Sequence, residues 1–387
     1  MAGAREHPTL PSPRLARSHA DMAARYDVVV VGSGYGGAIA ASRLARAGRS
    51  VCVLERGREI VAGEFPATLA SAAGQLQVRR GSRRWGRDDG LFDLRPGEDL
   101  SVLVGCGLGG TSLVNAGVAL RPPAWVYDDE RWPTALRGSQ VGPVELGPHF
   151  DRAERMLGST PFPAHLDEPS KLTVLRTAAE AIGVPVVRPP INVTFADGPN
   201  AAGVEQRACV QCGDCVTGCN HRAKNTLVEN YLPDAVAFGA HVFCEAGVDR
   251  VERAPDGADA RWRVSFDVAA GGRDGFDAPS SFVFADVVVL AAGALGSTEV
   301  LLRSRIAGLT TSPRLGDRFT GNGDVLAFAY DVRGRPLRGI GLGRRPVTAA
   351  GAVGPTITGA VDLTGVPRPG DGALIEEGAI PGALRWL

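Results

Sequence analysis

The stretch YDVVVVGSGYGGAIAASRLARAG, residues 26–48, decides the fold. Residues 26–31 form an unbroken apolar, β-branched run, as in a strand buried on both faces of a parallel sheet. Gly32, Gly34 and Gly37 follow at once in a G-x-G-x-x-G pattern, and a helical stretch over 38–47 closes at Gly48. Residues 50–54 read as a second strand ending at Glu55. Strand, glycine turn, helix, strand and acid, in that order, make a βαβ unit that binds a dinucleotide. Gly32 permits the tight turn, Gly34 lets the backbone approach a pyrophosphate, and Gly37 lets helix and strand pack closely. Tyr35 and Gly36 complete the loop at the helix N-terminus, whose unpaired N–H groups attract phosphate. Glu55, about 20 residues after Gly32, is placed to accept both ribose hydroxyls. The motif does not separate FAD from NAD.

Outward from this unit, the composition is that of a globular protein of 387 residues with a formal net charge of zero and 44% hydrophobic residues. Neutrality gives no global reason to expect nucleic acid or an anionic surface as partner. Arginine far outnumbers lysine, which occurs only at Lys171 and Lys224. No run approaches the roughly 18 apolar residues of a membrane span, and residues 1–24 lack the apolar core of a secretory signal. They are expected to form a disordered tail. Seven cysteines, four of them clustered, fit thiols in a reducing, cytoplasmic compartment better than a disulfide framework.

Residues 57–100 are rich in Arg, Gly and Asp with no firm period. The stretch GCGLGGTSLVNAGV, 105–118, is a second glycine-rich backbone, with Gly109, Gly110, Thr111, Ser112, Asn115 and Gly117. Such a loop suits a large, buried cofactor, or else a tight core turn. Helices are expected over 145–157, 171–182 and 225–240. A strand region spans 241–267, with hairpin-type connections at APDGADA and AAGGRDGFDAPS. ADVVVLAAGALGSTEVLLRSR, 285–305, reads as strand, glycine turn, helix.

YDVVVVGSGYGG, GGTSLVNAGV, VVVLAAGALGSTEVLLRS, KNTLVENYLPDAVAFGA and LGDRFTGNGD together resemble the glucose–methanol–choline oxidoreductase family, in its bacterial cholesterol oxidase-like branch. The resemblance covers about 25–387. It implies an α/β (α+β) fold: a discontinuous Rossmann-type FAD-binding domain, 25–150 with 203–312, and a substrate-binding domain built on an antiparallel sheet, 151–202 with 313–387. It implies FAD, lined by Gly109, Gly110, Thr111, Asn115 and Gly117, with Val248 on the adenine side and Ala292 and Gly293 closing the nucleotide site. It implies oxidation of the CH–OH group of a bulky, sterol-like alcohol by hydride transfer to flavin N5.

The family's catalytic base is a histidine near the C-terminal end, paired with His or Asn. The six histidines here are His7, His19, His149, His165, His221 and His241, none beyond 241. The chain is therefore expected to be a fragment, with an inactive flavin-binding remnant as one alternative. LIEEGAIPGAL resembles the stretch that carries the isomerisation glutamate and favours Glu376 over Glu377. Asn322, in TGNGD, lies where relatives bring polar groups toward the flavin, though a turn Asn before Gly is equally natural.

ACVQCGDCVTGCNHRAKNTL, 208–227, spaces Cys209, Cys212, Cys215 and Cys219 as a ferredoxin does. A [4Fe–4S] cluster on these residues would make the chain a dehydrogenase that passes electrons to an acceptor other than oxygen. Zinc and plain thiols are the competing readings. Cys52, Cys106 and Cys244 are the possible remote ligands, Cys52 being best read as a core thiol.

Overall fold

A computed structural model describes residues 14–81, 83–137, 141–268, 281–328, 341–343, 352–365 and 371–384. The chain divides into two compact units, one of 10–114 with 227–336, the other of 1–9, 115–226 and 337–387. The division falls at 114 and 226, whereas boundaries at 150 and 203 were expected. The cysteine-rich loop accordingly lies in the second unit.

The first unit is built on a six-stranded mixed sheet. Strands β1 (Arg25–Val31) and β2 (Val51–Leu54) lie parallel, with His241–Phe243 parallel to β2 and Ser281–Leu290 parallel to β1. Trp262–Val268 and then Ala246–Arg253 extend the sheet antiparallel. The connection APDGADA is thus a hairpin, as read from its turn residues, while 269–280 lie outside the described residues. The valines of β1 pair with Val51, Cys52 and Val53 on one side and with Val287, Val288 and Val289 on the other, which is why the run shows no alternation. Tyr26, Val29, Val31, Cys52, Leu54, Phe243, Phe266 and Val300 meet in one core, and Cys52 is indeed a core thiol, its acidity suppressed by burial.

The helix Tyr35–Arg46 crosses over the sheet and packs on the helix Tyr231–Ala237. Ser42 donates to Asp234 at 2.6 Å, and Arg46 forks onto the same carboxylate. The helix begins three residues before the apolar pattern shows it, because its first turn is glycine-rich.

Residues 57–100, irregular by pattern, hold an ordered sheet. Strands β3 (Leu76–Arg80), β4 (Arg83–Gly86), β5 (Phe92–Arg95) and β6 (Val102–Gly105) pair in the order β4-β3-β5-β6. Its alternation is masked because one face buries polar groups. Asp93, fully buried, takes a 2.8 Å bond from Arg56 and a 3.1 Å bond from Arg95, and Gln77 beside it accepts from Arg56 and Arg79.

Residues 14–24 are not a loose tail. Ala16 bridges Val242 at the sheet edge, Arg17 N donates to the Val242 carbonyl at 2.8 Å, and His19 stacks on Phe243. An open strand edge supplies the backbone partners that composition does not reveal.

In the second unit, Ala360–Asp362 pairs antiparallel with Leu374–Glu376 and with Val186–Val187. The helices Val141–Leu157 and Ser170–Ala181 belong to the same unit. Among the described residues no helix is long and apolar enough to cross a membrane.

Candidate dinucleotide site

The site grows from the end of β1. Gly32 turns the chain at φ +92°, where a Cβ would fall 2.7 Å from the Ala291 carbonyl oxygen. Gly37 packs so closely beneath it that a Cβ would stand 1.9 Å from Gly32 O. Gly34, by contrast, faces open space: a Cβ there meets nothing within 4 Å. The first-turn N–H groups of the helix Tyr35–Arg46 start at this point, with Tyr35 and Gly36 at its head. This is the cradle an approaching pyrophosphate requires.

The second glycine-rich loop closes on the first. Gly110, at φ +57°, would press a Cβ to 2.9 Å from Gly34 Cα. Gly109 N donates to Ser33 Oγ at 2.9 Å, and Ser33 Oγ donates onward to Glu55 at 2.6 Å. Ser33 N donates to the same carboxylate oxygen at 3.0 Å, and Gly57 N to the other at 2.8 Å. Glu55 therefore already has three donors. A carboxylate offers about four acceptor positions, so about one remains open. Gly57 is held against the second loop, its added Cβ falling 2.3 Å from Gly107 N. Burial pushes the Cys106 thiol in that loop up to about 11.

On the far side, Ala291 N donates to Val31 O at 2.8 Å and Ala292 N to Ser297 Oγ at 3.1 Å, so Ala292 and Gly293 border the first glycine turn at the start of the helix Gly293–Ile306. Ala246 N donates to Glu55 O, which brings the strand carrying Val248 beside the acid. Val248 lies at a β-bulge and is half-buried against the core. Thr111 accepts from Gly105 N and stays exposed.

Asn115 and Gly117 belong to the second unit, where the Asn115 carbonyl accepts from Lys224 Nζ at 2.7 Å and the Gly117 carbonyl from Asn192 N at 2.7 Å. Asn322 is exposed and donates to Asp324 two residues on, as a turn residue would. Glu376 is partly exposed on the strand Leu374–Glu376. Glu377 is the buried carboxylate: it pairs with Lys171 and also accepts from Thr358 N at 2.7 Å, Thr358 Oγ1 and Gly359 N at 2.9 Å. Burial holds Glu377 above and Lys171 below their ordinary values, and the attraction between them offsets only part of that.

The structure gives no support for a metal on the four clustered cysteines. Among the described residues, no group of three or more His, Cys, Asp or Glu side chains could hold a metal ion, Cys209, Cys212, Cys215 and Cys219 included. Ferredoxin-like spacing ensures proximity along the chain, but this loop turns through positive φ at Gln211, Gly213 and Gly218 and is stitched to its surroundings. Gly382 N donates to Asp214 at 2.7 Å, Val353 N to Gln211 O, Cys209 N to Thr194 O, and Lys224 Nζ to Cys215 O at 3.0 Å. Burial raises the thiols of Cys209, Cys212 and Cys219 and lowers the Lys224 ammonium to about 8.

Ser33 was missed because it occupies a variable position of the fingerprint. A small hydroxyl residue between two glycines was the available signal. The buried Lys171–Glu377 pair gave none, since its members are 206 residues apart.

The GMC oxidoreductase family model matches residues 26–321. A cholesterol oxidase of Mycobacterium tuberculosis (strain H37Rv) is 34% identical over 335 residues, 80% of this chain and 54% of that protein. A cholesterol oxidase of Acinetobacter baumannii is 31% identical over 329 residues, 79% of this chain and 56% of the relative. A long-chain-alcohol oxidase of Arabidopsis thaliana is 28% identical over 285 residues, covering 72% of this chain and 34% of its own length. The chain thus spans about half the length of the cholesterol oxidases it matches.

Proposed function

The chain belongs to the GMC oxidoreductase family, and from that premise we propose that it is an FAD-dependent oxidoreductase acting on the CH–OH group of a bulky, sterol-like alcohol. The observation that carries the reading is the cradle at Gly34, open where a Cβ would point, capped by a helix N-terminus and backed by Glu55. These residues fit a dinucleotide. The unit of 10–114 with 227–336 would be the FAD-binding unit, and the other the substrate-binding one.

In this reading the N–H groups at Gly34–Gly37 hold the pyrophosphate, Glu55 takes one ribose hydroxyl, and Val248 borders the adenine. Gly109, Gly110 and Thr111 run along the rest of the cofactor, with Ala292 and Gly293 closing the site. FAD, when bound, supplies at N5 the acceptor for the alcohol's hydride. Glu376 is the carboxylate proposed to take and return a proton at the steroid carbons. Glu377 is unsuited to that work because four protein donors already hold it. A bulky apolar alcohol is supported by the names of the relatives, cholesterol oxidases and a long-chain-alcohol oxidase.

The test is to supply purified protein with FAD, remove the excess and measure bound flavin. Cholesterol and a long-chain alcohol are then offered without oxygen while the flavin's visible absorbance is followed. Stoichiometric flavin bleached by the sterol is the expected result. Bound flavin that neither alcohol bleaches would leave a flavin-binding remnant, and a chain that takes up no flavin would end the reading altogether.

A further inference from the structure

The hairpin of β3 and β4 places like charges face to face. Arg80 pairs with Arg83 and Arg79 with Arg84 directly across the ladder, around a turn that Gly81 opens at φ +59°. Like charges opposite one another on a sheet are destabilising. Arg79 is partly relieved by Gln77 and Asp93 beneath the sheet. Among the described residues no ion pair neutralises Arg80, Arg83 or Arg84, and all three are exposed.

Strand alternation puts the Arg80–Arg83 pair on the face opposite the buried Asp93 network. Two residues along that same face comes the pair Val78–Trp85, and the ladder carries the row on through Leu94 to Leu103. This row is apolar across all four strands and open at both ends: Trp85 is 50% exposed and Leu103 55%. Leu76, on the same face, is 37% exposed. One face therefore joins a doubled guanidinium tip to an exposed tryptophan and aliphatic side chains. Zero net charge over the chain conceals it.

We propose that this sheet face docks on an anionic lipid surface, Arg80 and Arg83 meeting the lipid phosphates and Trp85 seated at the boundary between head groups and hydrocarbon. A bilayer interface offers phosphate and hydrocarbon side by side along one plane, and Trp and Arg are the residues that anchor there. A nucleic acid would use the arginines and the indole but would have no use for Leu76, Leu94 and Leu103. The proposal stands independently of the cofactor.

The experiment is co-sedimentation of the full chain with vesicles of phosphatidylcholine alone and of phosphatidylcholine with one third phosphatidylserine, at low and high salt. Binding is expected to the anionic vesicles only, and to fall with salt. Arg83→Glu should lower it by about tenfold or more, and Trp85→Ala should lower it as well. Arg83→Glu also creates an attractive pair with Arg80, so its melting temperature should equal or exceed that of the parent; loss of binding is then not loss of fold. The proposal is overturned by equal sedimentation with neutral vesicles, by an Arg83→Glu variant that binds like the parent, or by absence of vesicle binding. Binding to a homopolymeric RNA in place of vesicles would likewise overturn it and assign the face to a polyanion.

Discussion

Ser33 donates its hydroxyl to the Glu55 carboxylate at 2.6 Å while accepting from Gly109 N at 2.9 Å, so a single buried side chain ties both glycine-rich loops to the acid. Ser33→Ala would strand the Gly109 N–H and remove one donor from Glu55. The expected loss is about 1–3 kcal/mol of stability. Ser33→Ala and Glu55→Gln should be non-additive by at least about 0.5 kcal/mol in a double-mutant cycle. Urea unfolding of the unloaded protein measures this, and strict additivity would remove Ser33 from the network.

Gly34 and Gly37 separate two functions that the fingerprint merges. Gly34→Ala adds a methyl to open space and should leave the melting temperature of the unloaded protein nearly unchanged while reducing FAD uptake. Gly37→Ala drives a methyl into Gly32 O and should cost on the order of 3 kcal/mol or more. Scanning calorimetry with and without added FAD tells the two apart. Equal melting temperatures for both variants would refute the geometry.

Asp234 gives a pH signature. Burial raises its pKa, but the hydrogen bonds from Arg46 and Ser42 and the Arg46 charge together outweigh that and leave it lowered. A carboxyl group with a lowered folded-state pKa contributes stability above its unfolded value, near 3.9, and loses it as pH falls through the folded one. Asp234→Asn should therefore be less stable than the parent at neutral pH, with the gap closing below about pH 4. A gap that stays constant down to pH 3 would show that the carboxylate's charge plays no part.

The Lys171–Glu377 pair is buried on both sides, and removing one partner leaves the other uncompensated. Lys171→Met should cost about 3–5 kcal/mol. The double variant Lys171→Met with Glu377→Gln should recover part of this, because neither buried charge survives. Denaturant midpoints of the parent, the two single variants and the double variant decide it, and a double variant worse than the sum of its parts would contradict the pairing.

The sequence by itself determined the βαβ unit, the glycine cradle, the position of Glu55 at a strand end and the family. The first three depend on neighbours within about 30 residues, where strand and helix periods and glycine conformation act locally, and the family follows from several such local motifs in order along the chain. It also placed the hairpin after Arg253 and the strand–turn–helix that carries Ala292. The tertiary structure alone decided matters set by residues far apart. It chose Glu377 over Glu376 as the buried carboxylate, because Lys171 reaches it from a helix 206 residues earlier. It turned residues 57–100 into a sheet, because Asp93 and Gln77 are satisfied beneath it by arginines, Arg56 reaching both from beyond the end of β2, and so defeat a polarity pattern that assumes polar means outside. It left the four cysteines at ferredoxin spacing in no arrangement that could hold a metal ion among the described residues, since spacing sets how far apart thiols can be, and only the folded turns set their geometry.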